Sequence, residues 1–153
     1  MTRILLLNGP NLASLGDREP GIYGSVTLAE IEAAVELRAS ELGLEVRCAQ
    51  TNHEGVMVDL LEEERGRSAG CIVNPGGLTH TSVVLADALR AFGGPVVEVH
   101  LSNILGREAY RRVSLSAEAS VAVITGLGLH GYVLAVEGLA KLLEDPSPTR
   151  SLT

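Results

Sequence analysis

The segment at residues 18–25 contains a cation and a phenol a few residues apart in the sequence. Arg18 and Tyr23 stand five residues apart, and Pro20-Gly21 between them favours a turn that can bring the guanidinium near the phenol. A free tyrosine titrates near a pKa of about 10, but a neighbouring cation favours the phenolate, so this pair could provide a base at neutral pH. The alternative is that Tyr23 packs against the domain and Arg18 is a solvated surface charge.

A second group with catalytic chemistry lies in the apolar run at residues 95–100. Glu98 interrupts this run, and a buried carboxylate needs a partner. Because side chains alternate along a strand, Glu98 and His100 point to the same face, where the carboxylate could orient the imidazole. The alternative is a core histidine whose hydrogen bonds are satisfied without any catalytic role.

The segment at residues 74–82 has the composition of an anion-binding loop. Gly76 and Gly77 allow backbone N–H groups to converge just before a predicted helix, which favours a carboxylate pocket. His80 could donate to a ligand hydroxyl or cap its own loop. Asn74 could tie the loop down or contact a ligand.

The remaining charged candidates are more ambiguous. Arg107 and Arg111 have helical i,i+4 spacing that could aim both at one anion, or they form a solvated basic turn. Asp87 is either a solvated helix residue or a residue at a site or interface. His53 and His130 lack partners in the sequence, and no histidine spacing suggests a metal site, so we expect both to be structural.

The elements that must position these residues alternate between strands and helices, which predicts an α/β fold with a parallel sheet. We predict strands near 3–7, 44–49, 70–74, 95–100 and 121–125. We predict helices near 28–42, 54–65, 82–92 and 128–143. Continuously apolar strands indicate helices on both faces, and five strands suggest the flavodoxin-like order 2-1-3-4-5.

This topology predicts where the site lies. In open parallel sheets, ligands bind outside the carboxyl ends of the strands, at the switch point between the first and third strands. The loops that follow those two strands are residues 8–25, unusually long for this fold, and residues 74–82. Both loops contain the candidates described above.

Length and composition limit the function further. The 153 residues fit one domain, predicted as a catalytic domain at 1–144 followed by a flexible tail at 145–153. A net charge of −7 argues against duplex nucleic acid, and an aromatic content of 3% disfavours a flavin-stacking site. No membrane span or secretory signal is predicted, and Cys48 and Cys71 fit reduced core thiols, which together indicate a cytoplasmic protein. A small polar ligand remains the expected partner.

Six stretches spread over most of the chain resemble the type II 3-dehydroquinate dehydratases in order and spacing. They are LNGPNL at 7–12, REPGIYGS at 18–25, TNHEG at 51–55, NPGGLTHTS at 74–82, EVHLSN at 98–103 and GLGLHGY at 126–132. The resemblance implies anti dehydration of 3-dehydroquinate to 3-dehydroshikimate through an enolate, with no metal, cofactor or Schiff base. It leaves open both a biosynthetic role in the shikimate pathway and catabolism of quinate.

The resemblance also implies roles for individual residues. Tyr23 resembles the base that removes the C2 proton, and Arg18 resembles the cation that sustains its phenolate. Asn11 is similar to the residue that stabilises the enolate through a bound water. His100 resembles the acid that protonates the departing hydroxyl, and Glu98 resembles its orienting partner.

The substrate and the assembly are implied in the same way. The residues that match substrate-binding positions are Asn74, His80, Leu101, Ser102 and Arg111, with the Leu101 and Ser102 amides on the substrate carboxylate. Asp87 resembles a residue that reaches the site of a neighbouring subunit in a homododecamer built as a tetramer of trimers. The chain departs from the family at Ala13 and Ser14, where Asn is common, and at Leu105-Gly106, where His-Ala is common.

Two other classes of function stay open on the residues alone. The acid and base layout does not name a substrate, so another small hydroxy-acid hydro-lyase is the main rival. A non-catalytic flavodoxin-like binding module is the second, although the low aromatic content counts against it.

Overall fold

The chain alternates strands and helices as predicted. The structure, a computed structural model, describes residues 1–17 and 19–145, apart from the side chains of Pro20 and Tyr23. Its strands are β1 Thr2–Asn8, β2 Leu44–Gln50, β3 Gly70–Asn74, β4 Val96–His100 and β5 Ala122–Thr125. Its helices are α1 Pro20–Tyr23, α2 Leu28–Glu41, α3 Glu54–Glu64, α4 Val83–Phe92 and α5 Leu129–Glu144.

The five strands form one parallel sheet in the order β2-β1-β3-β4-β5. The order reverses between β1 and β3, which both lie in the middle of the sheet. This confirms the predicted flavodoxin-like topology and places the carboxyl ends of β1, β3 and β4 next to one another.

Helices cover both faces of the sheet because the central strands are apolar on both sides. In β1, Ile4 and Leu6 pack in one core cluster with α2 and α5. Leu5 and Leu7 point to the opposite face and pack in a second cluster with α3 and α4. All four side chains are fully buried, so each face contributes an apolar layer that water does not reach.

Local signals fix the ends of the best predicted helix. Thr27 accepts a hydrogen bond from the Glu30 amide, and the Glu30 carboxylate accepts one from the Thr27 amide, which forms the predicted capping box. Gly43 follows the helix with a φ of 75°, a conformation that costs glycine little.

The connection between β4 and β5 differs from the prediction. Arg107 and Arg111 lie in and between short 3-10 turns at Ile104–Gly106 and Ala109–Arg111 rather than on one α-helix. The helical geometry suggested by their i,i+4 spacing is therefore absent. No helix among the described residues is long and apolar enough to span a membrane, and the predicted tail beyond Asp145 lies outside the described residues.

Candidate active site

An open cleft of about 620 Å³ lies at the carboxyl ends of β1, β3 and β4. Loops that follow each of these strands form its walls, as the sheet topology predicts. The predicted site residues that line it are Asn11, Asn74, Gly76, Gly77, His80, His100, Leu101, Ser102 and Arg111. Pro10, Leu12, Leu15, Ile104 and Arg107 complete the lining.

The loops after β1 and β3 are held together by glycines that allow their backbones to touch. The Gly9 amide donates to the Asn74 carbonyl at 2.8 Å. A Cβ added to Gly9 would lie 2.7 Å from the Pro75 oxygen, and one added to Gly76, which has a φ of 60°, would lie 2.8 Å from the Pro10 oxygen. Any side chain at either position would push the two walls of the cleft apart.

Asn11 has an uncommon backbone conformation at the rim of the cleft. Its φ of 72° is in the left-handed region, and its amide donates to Oδ1 of Asn52 at 3.0 Å. The same Oδ1 accepts a hydrogen bond from Gln50 at 3.1 Å, and Gln50 also donates to the Gly9 carbonyl at 3.1 Å. Asn52 therefore helps to fix Asn11, a contact that the sequence stretch 51–55 did not reveal.

Asn74 both lines the cleft and fastens the loop that follows it. Its Oδ1 accepts from the Gly76 amide at 3.1 Å, and its Nδ2 donates to the Tyr132 hydroxyl at 2.8 Å. That hydroxyl donates in turn to Oδ1 of Asn8 at 2.7 Å. Tyr132 is fully buried and burial raises its pKa, so it remains a neutral phenol that ties α5 to the ends of β1 and β3.

The predicted contact between Glu98 and His100 is present. Nε2 of His100 lies 2.9 Å from Oε2 of Glu98, and the two side chains are almost completely buried. Ser114 donates to both Glu98 oxygens, at 2.9 and 3.2 Å, and Ser116 donates to Oε1. Sequence reasoning missed both serines.

These hydrogen bonds determine the charge of the carboxylate. Burial on its own would raise the pKa of Glu98, but the hydrogen bonds from His100, Ser116 and Ser114 outweigh burial and lower the pKa. Glu98 is therefore ionised at neutral pH and accepts a hydrogen bond from the protonated Nε2 of His100. The other ring nitrogen of His100, Nδ1, is then the one that can exchange a proton in the cleft.

Three basic side chains line the same cleft from two loops. Nδ1 of His80 lies 2.8 Å from the Val113 carbonyl, which can only accept, so this nitrogen carries a proton. Arg107 donates to Oγ of Ser102 at 3.4 Å, and Nε of Arg111 donates to Glu108 at 2.7 Å. The two arginines do converge on one cleft, although by way of 3-10 turns.

Some predicted residues lie elsewhere or outside the described part of the chain. Asp87 is 70% exposed on α4, 3.5 Å from Arg90, and borders a groove between α3 and α4 rather than the cleft. Arg18 and the side chain of Tyr23 lie outside what the structure describes, so their contact stays a prediction. His53 and His130 are exposed and do not line the cleft.

Neither cysteine is a reactive thiolate, because burial raises the pKa of both thiols. Cys48 and Cys71 are free thiols, and burial, with a smaller contribution from Glu32, raises the pKa of Cys48 to about 12. Among the described residues, no group of three or more His, Cys, Asp and Glu side chains is arranged to hold a metal ion.

Comparisons with known proteins agree with this geometry. The family model for Dehydroquinase class II matches residues 2–140. A 3-dehydroquinate dehydratase of Corynebacterium glutamicum is 53% identical over 140 residues, which cover 92% of this chain and 97% of that protein. A 3-dehydroquinate dehydratase of Gloeobacter violaceus is 48% identical over 153 residues, which cover 97% of this chain and 96% of that protein.

The fold agrees as well. The crystal structure of the type II dehydroquinase from Propionibacterium acnes matches with a TM-score of 0.88 at 40% identity, covering 92% of this chain and 97% of that one. The family resemblance predicted from the six sequence stretches is thereby confirmed. The chain belongs to the class II dehydroquinase family.

Proposed function

We propose that this chain is a 3-dehydroquinate dehydratase that eliminates water from its substrate through an enolate to give 3-dehydroshikimate. The observation that carries the proposal is the cleft itself, in which His100, hydrogen-bonded to the buried Glu98, faces the same space as Arg107, Arg111 and His80. A small hydroxy acid needs a proton donor for its leaving hydroxyl, and basic side chains around the cleft favour an anionic ligand.

In the first step, the Tyr23 phenolate takes the C2 proton, and the electron pair moves onto the carbonyl oxygen to form the enolate. Arg18 lowers the energy of the phenolate by its positive charge. These two roles rest on the sequence spacing and on the family. Asn11 stabilises the enolate oxygen through a water, a role supported by its place in the cleft lining.

In the second step, the enolate collapses, the C–O bond to the hydroxyl breaks, and His100 donates a proton so that water leaves. Glu98 supports this role because its carboxylate stabilises the imidazolium and fixes the ring through Nε2. The proton comes from Nδ1. Tyr23 is then protonated and His100 neutral, so proton exchange with water completes the cycle.

Binding of the substrate uses the loops after β3 and β4. We assign its carboxylate to the backbone amides of Leu101 and Ser102, and its hydroxyls to Asn74, His80 and Arg111. Gly76 and Gly77 allow the loop backbone to approach the ring closely. All of these positions border the cleft, which supports the assignment.

We also propose a homododecamer, a tetramer of trimers, in which Asp87 reaches the site of a neighbouring subunit. Its exposed position on α4, beside a groove that includes Val84 and Phe92, supports a contact with another copy. Light scattering on the purified protein measures the mass of the assembly directly.

The proposed setting is the shikimate pathway in the cytoplasm. Complementation of a bacterial strain that requires aromatic amino acids tests this setting.

The decisive assay follows the enone absorbance of 3-dehydroshikimate after 3-dehydroquinate is added to chelator-treated protein. We expect full activity with chelator. We also expect no inactivation by borohydride with substrate, because the only lysine in the sequence, Lys141, is 84% exposed on α5 and paired with Glu144. Absence of the enone signal would overturn the proposal.

The base is tested by Tyr23→Phe, with Tyr110→Phe as the matched control. Loss of a general base costs about 10²- to 10⁴-fold in rate, so Tyr23→Phe should lose nearly all kcat. Tyr110 is 66% exposed, and phenylalanine keeps the ring that contacts Arg111, so its variant should retain kcat. Near-normal turnover of Tyr23→Phe would require a different base.

A further inference from the structure

Two side chains besides His100 hold the carboxylate of Glu98. Oε2 accepts hydrogen bonds from His100 and Ser114, both at 2.9 Å, while Oε1 accepts from Ser116 and, at 3.2 Å, from Ser114. Glu98 is fully buried in β4. Without the serines, one of its oxygens would face the protein interior with no donor, at a cost comparable to a lost hydrogen bond to a charged group.

Both serines come from the segment that follows the cleft arginines. Ser114 also accepts from the Ala117 amide at 3.0 Å, which starts the 3-10 turn Ser116–Ala119. The amide of Leu115, between the serines, donates to the Thr79 carbonyl at 2.8 Å. This segment is therefore fixed between β4 and the loop of His80, and it presents two hydroxyl donors to one buried carboxylate.

We propose that Ser114 and Ser116 are positioning residues for the acid step, which hold the Glu98 carboxylate ionised and oriented so that His100 presents Nδ1 to the leaving hydroxyl. The proposal rests on the proposed function for its activity assay. Neither serine lines the cleft, so they act through Glu98 and His100 and not on the substrate.

The expected effect is on turnover and not on binding. Loss of one donor removes a hydrogen bond that lowers the pKa of Glu98, so this pKa rises, and the carboxylate orients the imidazole less well. Among the described residues, the other charged or titratable groups that border this cleft are His80, Arg107 and Arg111, and the proposed function adds Tyr23 and Arg18. None of them is removed by a serine substitution, so a shift in the pH profile reports on the Glu98–His100 pair.

The experiment compares Ser114→Ala and Ser116→Ala with wild-type protein. We expect kcat to fall about tenfold in each variant while KM changes by less than about twofold, as for an interaction made in the transition state. The acid limb of the kcat–pH profile should move to higher pH, because Glu98 without one serine donor is protonated at a higher pH. The His100 ring-nitrogen resonances should change even without substrate.

Two further variants separate positioning from general structural support. Ser114→Thr keeps a hydroxyl at a half-buried position and should recover kcat. Ser120 donates to the Ser116 carbonyl at 2.9 Å from the same turn and does not hydrogen-bond Glu98, so Ser120→Ala should leave kcat and the profile unchanged. Equal loss in Ser120→Ala, a rise in KM alone, or unchanged kcat in both alanine variants would overturn the proposal.

The ring-nitrogen measurement also separates this inference from the proposed function. If wild-type protein fails to convert 3-dehydroquinate, the proposed function is wrong, but the resonances of His100 still report whether the serines hold the pair. Unchanged resonances in both alanine variants would overturn the serine proposal on their own.

Discussion

Two glutamates are completely buried at opposite ends of the sheet, and their partners differ in kind. Glu98, near the carboxyl end of β4, contacts His100, Ser114 and Ser116. Glu64, at the end of α3 and so at the amino end of the sheet, contacts Arg3 at 2.9 Å and Arg47 and Ser68 at 2.5 Å.

Under the proposed function, the same type of side chain stabilises the fold at Glu64 and supports chemistry at Glu98. Burial would raise the pKa of Glu64, but Ser68, Arg47 and Arg3 outweigh burial and lower it, as the hydrogen bonds do for Glu98. Arginine stays protonated at any relevant pH, so Glu64 forms a permanent ion pair. Histidine can give up its proton, so the pair at Glu98 can change charge during a reaction.

Of the variants that test this comparison, Glu98→Gln should have the largest effect, a loss of kcat. The amide keeps the shape but cannot stabilise an imidazolium, so we expect kcat to fall about 100-fold with KM nearly unchanged. Enone formation measures both constants. Glu64→Gln is the control and should keep wild-type kcat below its melting temperature; equal loss in the two variants would remove the functional distinction.

Glu64→Gln should instead cost stability, because it leaves Arg3 and Arg47 without their shared carboxylate. Both arginines are about one-third exposed and can regain water, so we expect a loss of about 2 kcal/mol in the free energy of unfolding. Urea denaturation measures it. The matched control is Glu63→Gln, since Glu63 also contacts Arg47 at 2.9 Å but is 49% exposed, and its loss should be small.

The same contrast explains what the sequence could predict. Strand alternation was enough to place Glu98 beside His100, because residues two apart in one strand share a face. Continuous apolar runs such as Cys71-Ile72-Val73 predicted a sheet covered on both faces, and the topology then located the cleft.

The missed contacts have another physical origin. Ser114 and Ser116 lie in an irregular connection with no periodic pattern, so their direction is determined only by packing against β4 and the His80 loop. Arg3, Arg47 and Glu64 come from three separate elements that meet only in the folded protein. Short-range sequence patterns carry no information about such convergence.

Acid should sharpen the comparison by removing the stability contributed by each glutamate. When folding lowers the pKa of a glutamate, the resulting stabilisation is fully present above the pKa of that glutamate in the unfolded chain, about 4.3. The stabilisation is lost as pH falls through the pKa of the glutamate in the folded protein. We expect the deficit of Glu64→Gln relative to wild type to be greatest near neutral pH and to shrink below about pH 4. Urea titrations at several pH values measure it; a constant deficit would mean that packing, and not ionisation, carries the effect.

The smallest expected difference is in salt sensitivity. Arg3 and Arg47 are 31% and 32% exposed, whereas His100 is 6% exposed, so mobile ions reach the Glu64 cluster more readily than the Glu98 pair. At 1 M NaCl the screening length is about 3 Å, and the stability deficit of Glu64→Gln should shrink by about 0.5 kcal/mol. The kcat ratio between wild type and Glu98→Gln should not change, because that pair is shielded by β4, Ser114 and Ser116. Salt could instead reduce the kcat ratio between wild type and Glu98→Gln while leaving the stability deficit of Glu64→Gln unchanged. That result would mean that the Glu98 pair, and not the Glu64 cluster, is the one exposed to mobile ions.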